Sequence, residues 1–167
     1  MKNFFFGFLA TIVLILIVPL AYLRLGGAEV RGDVRAPSWE SRLMQFALHA
    51  SVRRSAQRIQ NPLPHSDEQL IAGGKMYLAG CAGCHGTPGR PARNWITYAP
   101  PPEFTYVGTQ YSEPELFWVV KHGIRRTGMS AYASFYSDQQ VWQLVEFVQQ
   151  MNNLPPAVFD AIQPKRP

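Results

Sequence analysis

The sequence predicts an all-α protein, and three observations carry that expectation. Ser-x-x-Glu/Gln boxes, the mark of a capped helix start, recur at Ser66, Ser112 and Ser137, each ahead of apolar residues at helical spacing. Residues 3–23 run without a single charge, which is long enough for one membrane-crossing helix. No segment shows the alternation of a strand, and no internal repeat is present. The expected architecture is a helical domain preceded by an N-terminal transmembrane helix and an amphipathic helix.

In chain order, residues 1–25 are the expected anchor, embedded through residues 4–23. Roughly 20 residues at about 1.5 Å per residue match the thickness of a bilayer's hydrocarbon core. Lys2 and Arg24 bracket the run, and Tyr22 stands where an aromatic interface residue belongs. A cleaved signal peptide, cut near Gly26-Gly27-Ala28, is the competing reading. The apolar run is longer than a usual signal core, which favours a retained anchor. Residues 26–62 form a juxtamembrane segment containing an amphipathic helix over 38–60. Ser38 is its expected N-cap; Trp39, Leu43, Phe46, Ala47 and Ala50 follow at helical spacing, and Arg42, Arg53 and Arg54 take other faces. Such a helix either packs on its own domain or meets a membrane surface or a partner subunit. Asn61-Pro62-Leu63-Pro64 ends it.

Residues 63–154 are the expected globular domain. Its first helix carries Leu70, Ile71, Met76 and Tyr77; the second, with Leu116, Phe117, Val119 and Val120, should stop at Gly123. The third places Val141, Leu144, Val145 and Val148 at core spacing and ends near Asn152, Asn153 and Pro155. Residues 86–111 have no periodicity and contain Pro88, Pro91, Pro100, Pro101 and Pro102. A loop that long needs an apolar body to wrap. The Pro-rich tail, 155–167, is expected to be extended.

The net charge of +5 is uneven. Residues 1–62 hold eight Lys and Arg against three acids, whereas residues 63–167 hold eight of each. The basic excess therefore belongs beside anionic headgroups and does not argue for nucleic-acid binding.

Cys81-Ala82-Gly83-Cys84-His85 uses both cysteines of the chain. CxxCH is the attachment site of a c-type haem. Thiols one helical turn apart each form a thioether with a vinyl group of the porphyrin, and the following His meets the iron. A Cys81–Cys84 disulfide would close a small strained loop and leave His85 unexplained. A zinc site lacks a second ligand pair, and a thioredoxin-type pair lacks its βαβ setting.

His85 supplies one axial ligand, and the best candidate for the other is Met129. It lies between two expected helices, behind Gly128, which would permit a tight turn or close approach to the porphyrin. The rivals are His122, His65, His49, Met76 and Met151, and a bis-His haem stays open. With Met opposite His, the potential is raised. Arg125 and Arg126 are candidates for a haem propionate or an acidic partner.

From about residue 63 to 153 the chain resembles a class I monohaem cytochrome c domain. The resemblance rests on Gly73-Gly74-Lys75-Met76-Tyr77, the CxxCH motif, the Pro-rich loop, the segment from Lys121 to Met129, and the last helix with Trp142 and Phe147. It implies the cytochrome c fold and one covalent haem c, bound by Cys81 and Cys84 and ligated by His85 and Met129. It implies too that Gly73 marks where the first helix crosses the last, near Phe147. The N-terminal segments resemble those of membrane-anchored members.

The function expected is one-electron transfer between redox partners, by a free-standing carrier or a subunit of a respiratory or photosynthetic membrane complex, rather than an enzyme. A gas sensor or peroxidase-like enzyme, in which Met129 is displaced, is the alternative; no distal acid–base group stands out for it. Covalent haem attachment outside the bacterial cytoplasm puts the domain on the periplasmic side of the inner membrane. The positive-inside rule runs the other way, since Lys2 alone marks the inner side while Arg24, Arg31 and Arg35 lie outside.

Overall fold

A computed structural model describes residues 2–92, 99–104 and 109–163. Contacts divide the chain into two compact units, residues 1–32 and 33–167.

The first unit is helix α1, Lys2–Arg24, with a mean hydropathy of 2.7 in its most apolar window and no buried residue. At about 1.5 Å per residue its 23 residues reach roughly 34 Å, enough to cross a bilayer. The Thr11 hydroxyl, in the middle of the helix, donates to the Gly7 carbonyl at 2.9 Å, which keeps it satisfied away from water. Gly26 ends the helix at φ +73°: its N–H reaches the Leu23 carbonyl, and the Gly27 N–H reaches that of Tyr22. That paired 5→2 and 6→1 closure needs a left-handed residue, which glycine adopts without strain.

The second unit is helical, with no strand among the described residues and one isolated bridge, Thr87 to Arg90. Its elements are α2 (Ser38–Ala56), α3 (Asp67–Gly80), α4 (Ala82–His85), α5 (Glu113–His122), α6 (Asp138–Gln150) and α7 (Pro156–Ile162). Reciprocal boxes form at Ser112 and Ser137, while Ser66 caps its helix without the returning Gln69 side-chain bond. The Gln69 N–H donates to the Ser66 hydroxyl, the Glu115 carboxylate accepts from the Ser112 N–H at 2.8 Å, and Ser137 and Gln140 bond reciprocally.

The domain is organised by α3 crossing α6, with α7 lying on α3 and α5 bridging α2 and α6. Gly73 makes the crossing possible: a Cβ there would sit 1.9 Å from the Gln143 carbonyl oxygen and 3.1 Å from Phe147. Tyr77, Leu116, Phe117, Trp142, Leu144 and Phe147 form the centre of the core, with Phe117 stacked on Trp142 at 4.2 Å between centroids. One acid is buried with them. Glu146 is 1% exposed, and its Oε1 meets His65 Nδ1 at 3.3 Å, while Oε2 has no partner among the described residues.

Three expectations are corrected. Pro37, not Ser38, occupies the N-cap of α2, and the helix closes at Ala56 rather than near 60. Ser38 is then the first helical residue. The tail, expected to be extended, is helical over Pro156–Ile162, and Val158 and Ile162 are buried. Proline at the first helical position has its φ preset and no N–H to leave unpaired, so Pro156 starts a helix as readily as it stops one. Residues 164–167 of that tail, like 93–98 and 105–108 of the Pro-rich loop, lie outside the described residues.

Candidate haem site

The CxxCH motif follows directly from the crossing helix. The Cys81 N–H still bonds the Tyr77 carbonyl of α3, and the Cys81 carbonyl accepts from both Cys84 and His85, which turns the chain into α4. Cys81 and Ala82 pack against the core beside Met76, Phe104 and Tyr136. Both thiols are free. Burial first, then the neighbouring Cys84, pushes the Cys81 thiol up to about 11.

Gly86 closes the motif at φ +80°, where a Cβ would meet the Arg90 carbonyl and the Ala92 N–H at 2.9 Å. Its own carbonyl accepts the buried Tyr77 hydroxyl at 2.9 Å. Burial drives that phenol well above its usual range, so it remains a donor.

His85 is oriented by the Pro-rich loop. Its Nδ1 lies 2.8 Å from the Pro102 carbonyl oxygen, and a carbonyl only accepts, so the proton is on Nδ1 and the Nε2 lone pair is left for a metal. The ring stacks on Phe104 at 4.7 Å and 9°. Burial is the larger influence on this imidazole and lowers its pKa, against the opposing Pro102 bond, which favours the neutral form a ligand needs. Sequence reasoning left the haem-lining residues of this loop undetermined. The structure places Pro102 and Phe104 of this loop against His85, contacts that no periodicity marked.

Met129 lies in the loop after α5 and is half-buried. Its N–H bonds the Thr127 hydroxyl at 3.1 Å and its carbonyl accepts from the Ile124 N–H at 2.9 Å. Gly128 is not the special residue of the turn: its φ is not left-handed and a Cβ there would meet no protein atom within 4 Å, whereas Arg126 is left-handed at φ +63°. Gly123 is the glycine the loop requires. At φ +67° its Cβ would stand 2.7 Å from the Met129 carbonyl oxygen and from the Ala131 N–H. The loop then returns to α5 through Tyr132 and Ala133, whose N–H groups bond the Val120 and Lys121 carbonyls. The Tyr132 phenol is pushed up by burial and then by Cys81, Tyr136 and Cys84.

The other candidate ligands have engagements of their own. His49 stacks on Tyr111 at 4.9 Å, His122 lies against Trp118 at 5.1 Å, His65 meets Glu146, Met151 is buried in the core and Met76 packs against it. Arg125 and Arg126 are exposed.

The donor set suits a haem better than a bare ion. Among the described residues no group of three or more His, Cys, Asp or Glu is able to hold a metal. Two free thiols one turn apart and a single imidazole with Nε2 available match the attachment chemistry of a porphyrin. Residues 68–148, slightly under half the chain, match the family model described as cytochrome C oxidase, cbb3-type, subunit III. No curated protein and no solved structure matches the chain significantly.

Proposed function

We propose that this chain is a membrane-anchored carrier of single electrons, on the match of residues 68–148 to the family model of cbb3-type cytochrome c oxidase subunit III, a c-type cytochrome domain that implies covalent haem c. The family supports electron transfer by a c-type cytochrome. The finer reading assigns Cys81 and Cys84 to the thioethers, and His85 and Met129 to the iron. The observation that carries it is the His85 Nδ1–H bond to Pro102, which fixes the tautomer and aims Nε2 away from the loop carbonyl.

Bound haem supplies a one-electron change between ferric and ferrous iron. The residues do the rest. Pro102 and Phe104 hold the imidazole, Tyr77 ties the turn after His85 to the core, and Thr127, Ile124 and Gly123 hold the Met129 backbone. His85 and Met129 together would leave bound haem no open position for a substrate. Helix α1 retains the domain at the bacterial inner membrane, on its periplasmic side, where donor and acceptor proteins or other subunits of a membrane complex are reached. Small, weak interfaces suit such turnover.

Exposure of the reduced native protein to carbon monoxide tests this reading. The expected result is inertness together with the far-red sulfur-to-iron band in the oxidised spectrum. Rapid carbon monoxide binding would instead support a displaceable Met129 and a sensor or peroxidase-like activity. Purification in mild detergent then distinguishes a free carrier from a complex subunit by what accompanies it.

A further inference from the structure

We propose that α2 lies on the surface of an anionic bilayer through a second apolar face, the same membrane that α1 crosses; this rests on the anchoring role of α1. The helix has two apolar sides. Val52 and Ala56 are buried, and Leu48 and His49 half-buried, on the side that packs against α5. The other side is open: Trp39 is 64% exposed, Leu43 54% and Phe46 74%. At about 100° per residue Trp39, Leu43, Phe46 and Ala50 fall within about 60° of one another, on the opposite side from Leu48 and Val52.

Charge identifies the occupant. Arg42 and Arg53 border one edge of the stripe and Arg54 the other, and Glu40 is the only acid on the helix. Arg42 Nε donates to the Ser38 carbonyl at 3.2 Å, leaving its terminal guanidinium nitrogens exposed, and Arg53 approaches Glu115 at 3.9 Å with its side chain largely in water, so both keep donors for phosphate. A narrow apolar stripe between arginines, with a tryptophan at the end nearer the anchor, is the composition of a helix lying in the headgroup plane. The thirteen residues between Arg24 and Ser38 span at most about 45 Å when extended, so the tether keeps α2 within reach of the bilayer.

The test uses the haem-loaded full chain, its own cysteines taken up in thioethers, in phosphatidylcholine nanodiscs with or without phosphatidylglycerol. A nitroxide is placed in turn by Leu14→Cys in α1, Phe46→Cys on the stripe, and Ser51→Cys on an exposed polar position of α2. Collision with oxygen reports lipid, and collision with a nickel chelate reports water. In anionic discs positions 14 and 46 should favour oxygen and position 51 nickel. In pure phosphatidylcholine position 46 should return to water. Three arginines at about fivefold each make the surface preference roughly a hundredfold. Water at 46 with lipid at 14 overturns the inference and spares the anchor, whereas water at 14 removes both. Shielding of 46 from both reagents means that a protein covers the stripe, and no dependence on lipid charge removes the role of the arginines; either result sinks the proposal.

Discussion

At the scale of single residues, the site is governed by small groups holding larger ones. Met129→Ala should abolish the sulfur-to-iron band, open the haem to carbon monoxide and lower the midpoint potential by on the order of 0.1 V or more, read by redox titration. Gly123→Ala tests the backbone beneath it. A Cβ 2.7 Å from the Met129 carbonyl, at a left-handed φ, should displace the loop and weaken the same band while His85 and the thioethers stay intact. The pairing of His65 with Glu146 makes a separate forecast. His65→Ala leaves a fully buried carboxylate without its one partner among the described residues and should destabilise the domain by about 1–3 kcal/mol in denaturant titration. If His65→Ala changes stability no more than a surface substitution does, Glu146 has another partner. Legibility at this scale was partial. His85 and the two thiols announce themselves by spacing, but Pro102 and Phe104 do not, because their role depends on where a proline-rich chain returns in space. Within the turn itself, the special backbone belongs to Gly123, whose conformation is set by the end of α5, rather than to Gly128, which only its place before Met129 suggests.

Among the helices, the crossing of α3 and α6 decides whether there is a domain at all. Gly73→Ala pushes a methyl into a backbone carbonyl that has no room to move and should destabilise by about 3 kcal/mol or more, despite alanine's better helix propensity. Gly74→Ala meets the side-chain ends of Phe147 and Ile162 at 2.8 and 2.9 Å, which are able to shift, so about 1–2 kcal/mol is expected. Equal effects at the two positions would contradict this account of the crossing. Helix starts were readable because a Ser-x-x-Glu/Gln box is a local chemical arrangement: two of the three form in full, and the third contributes its Ser66 cap. The start of α2 shifted by one residue because Ser38 and Pro37 are both good terminal residues, and proline fixes the extended φ. Helix α7 was missed for a related reason. Proline pairs read as extended chain unless one knows that Val158 and Ile162 will find a surface to bury against.

For the whole molecule, the division into residues 1–32 and 33–167 carries its own expectation. Replacing residues 2–24 by a cleavable export signal should leave the second unit's core and haem spectrum unchanged, while the protein moves from the detergent phase to the aqueous phase in a Triton X-114 separation. A colourless or aggregated product would mean that the apolar helix also serves folding. The uneven charge belongs to this scale as well: the basic excess lies in the juxtamembrane part, so salt should weaken attachment to anionic bilayers more than encounters made by the globular domain.

The Met129 turn has a kinetic consequence. Its main-chain donor and acceptor are both occupied within the turn, by Thr127 and Ile124, and its exit is pinned to the last carbonyls of α5. On the proposed ligation by Met129, nuclei so braced would have little to move when iron changes valence. Self-exchange between the two valence states should therefore be fast, and Thr127→Val should slow it by loosening the ligand rather than by altering the encounter.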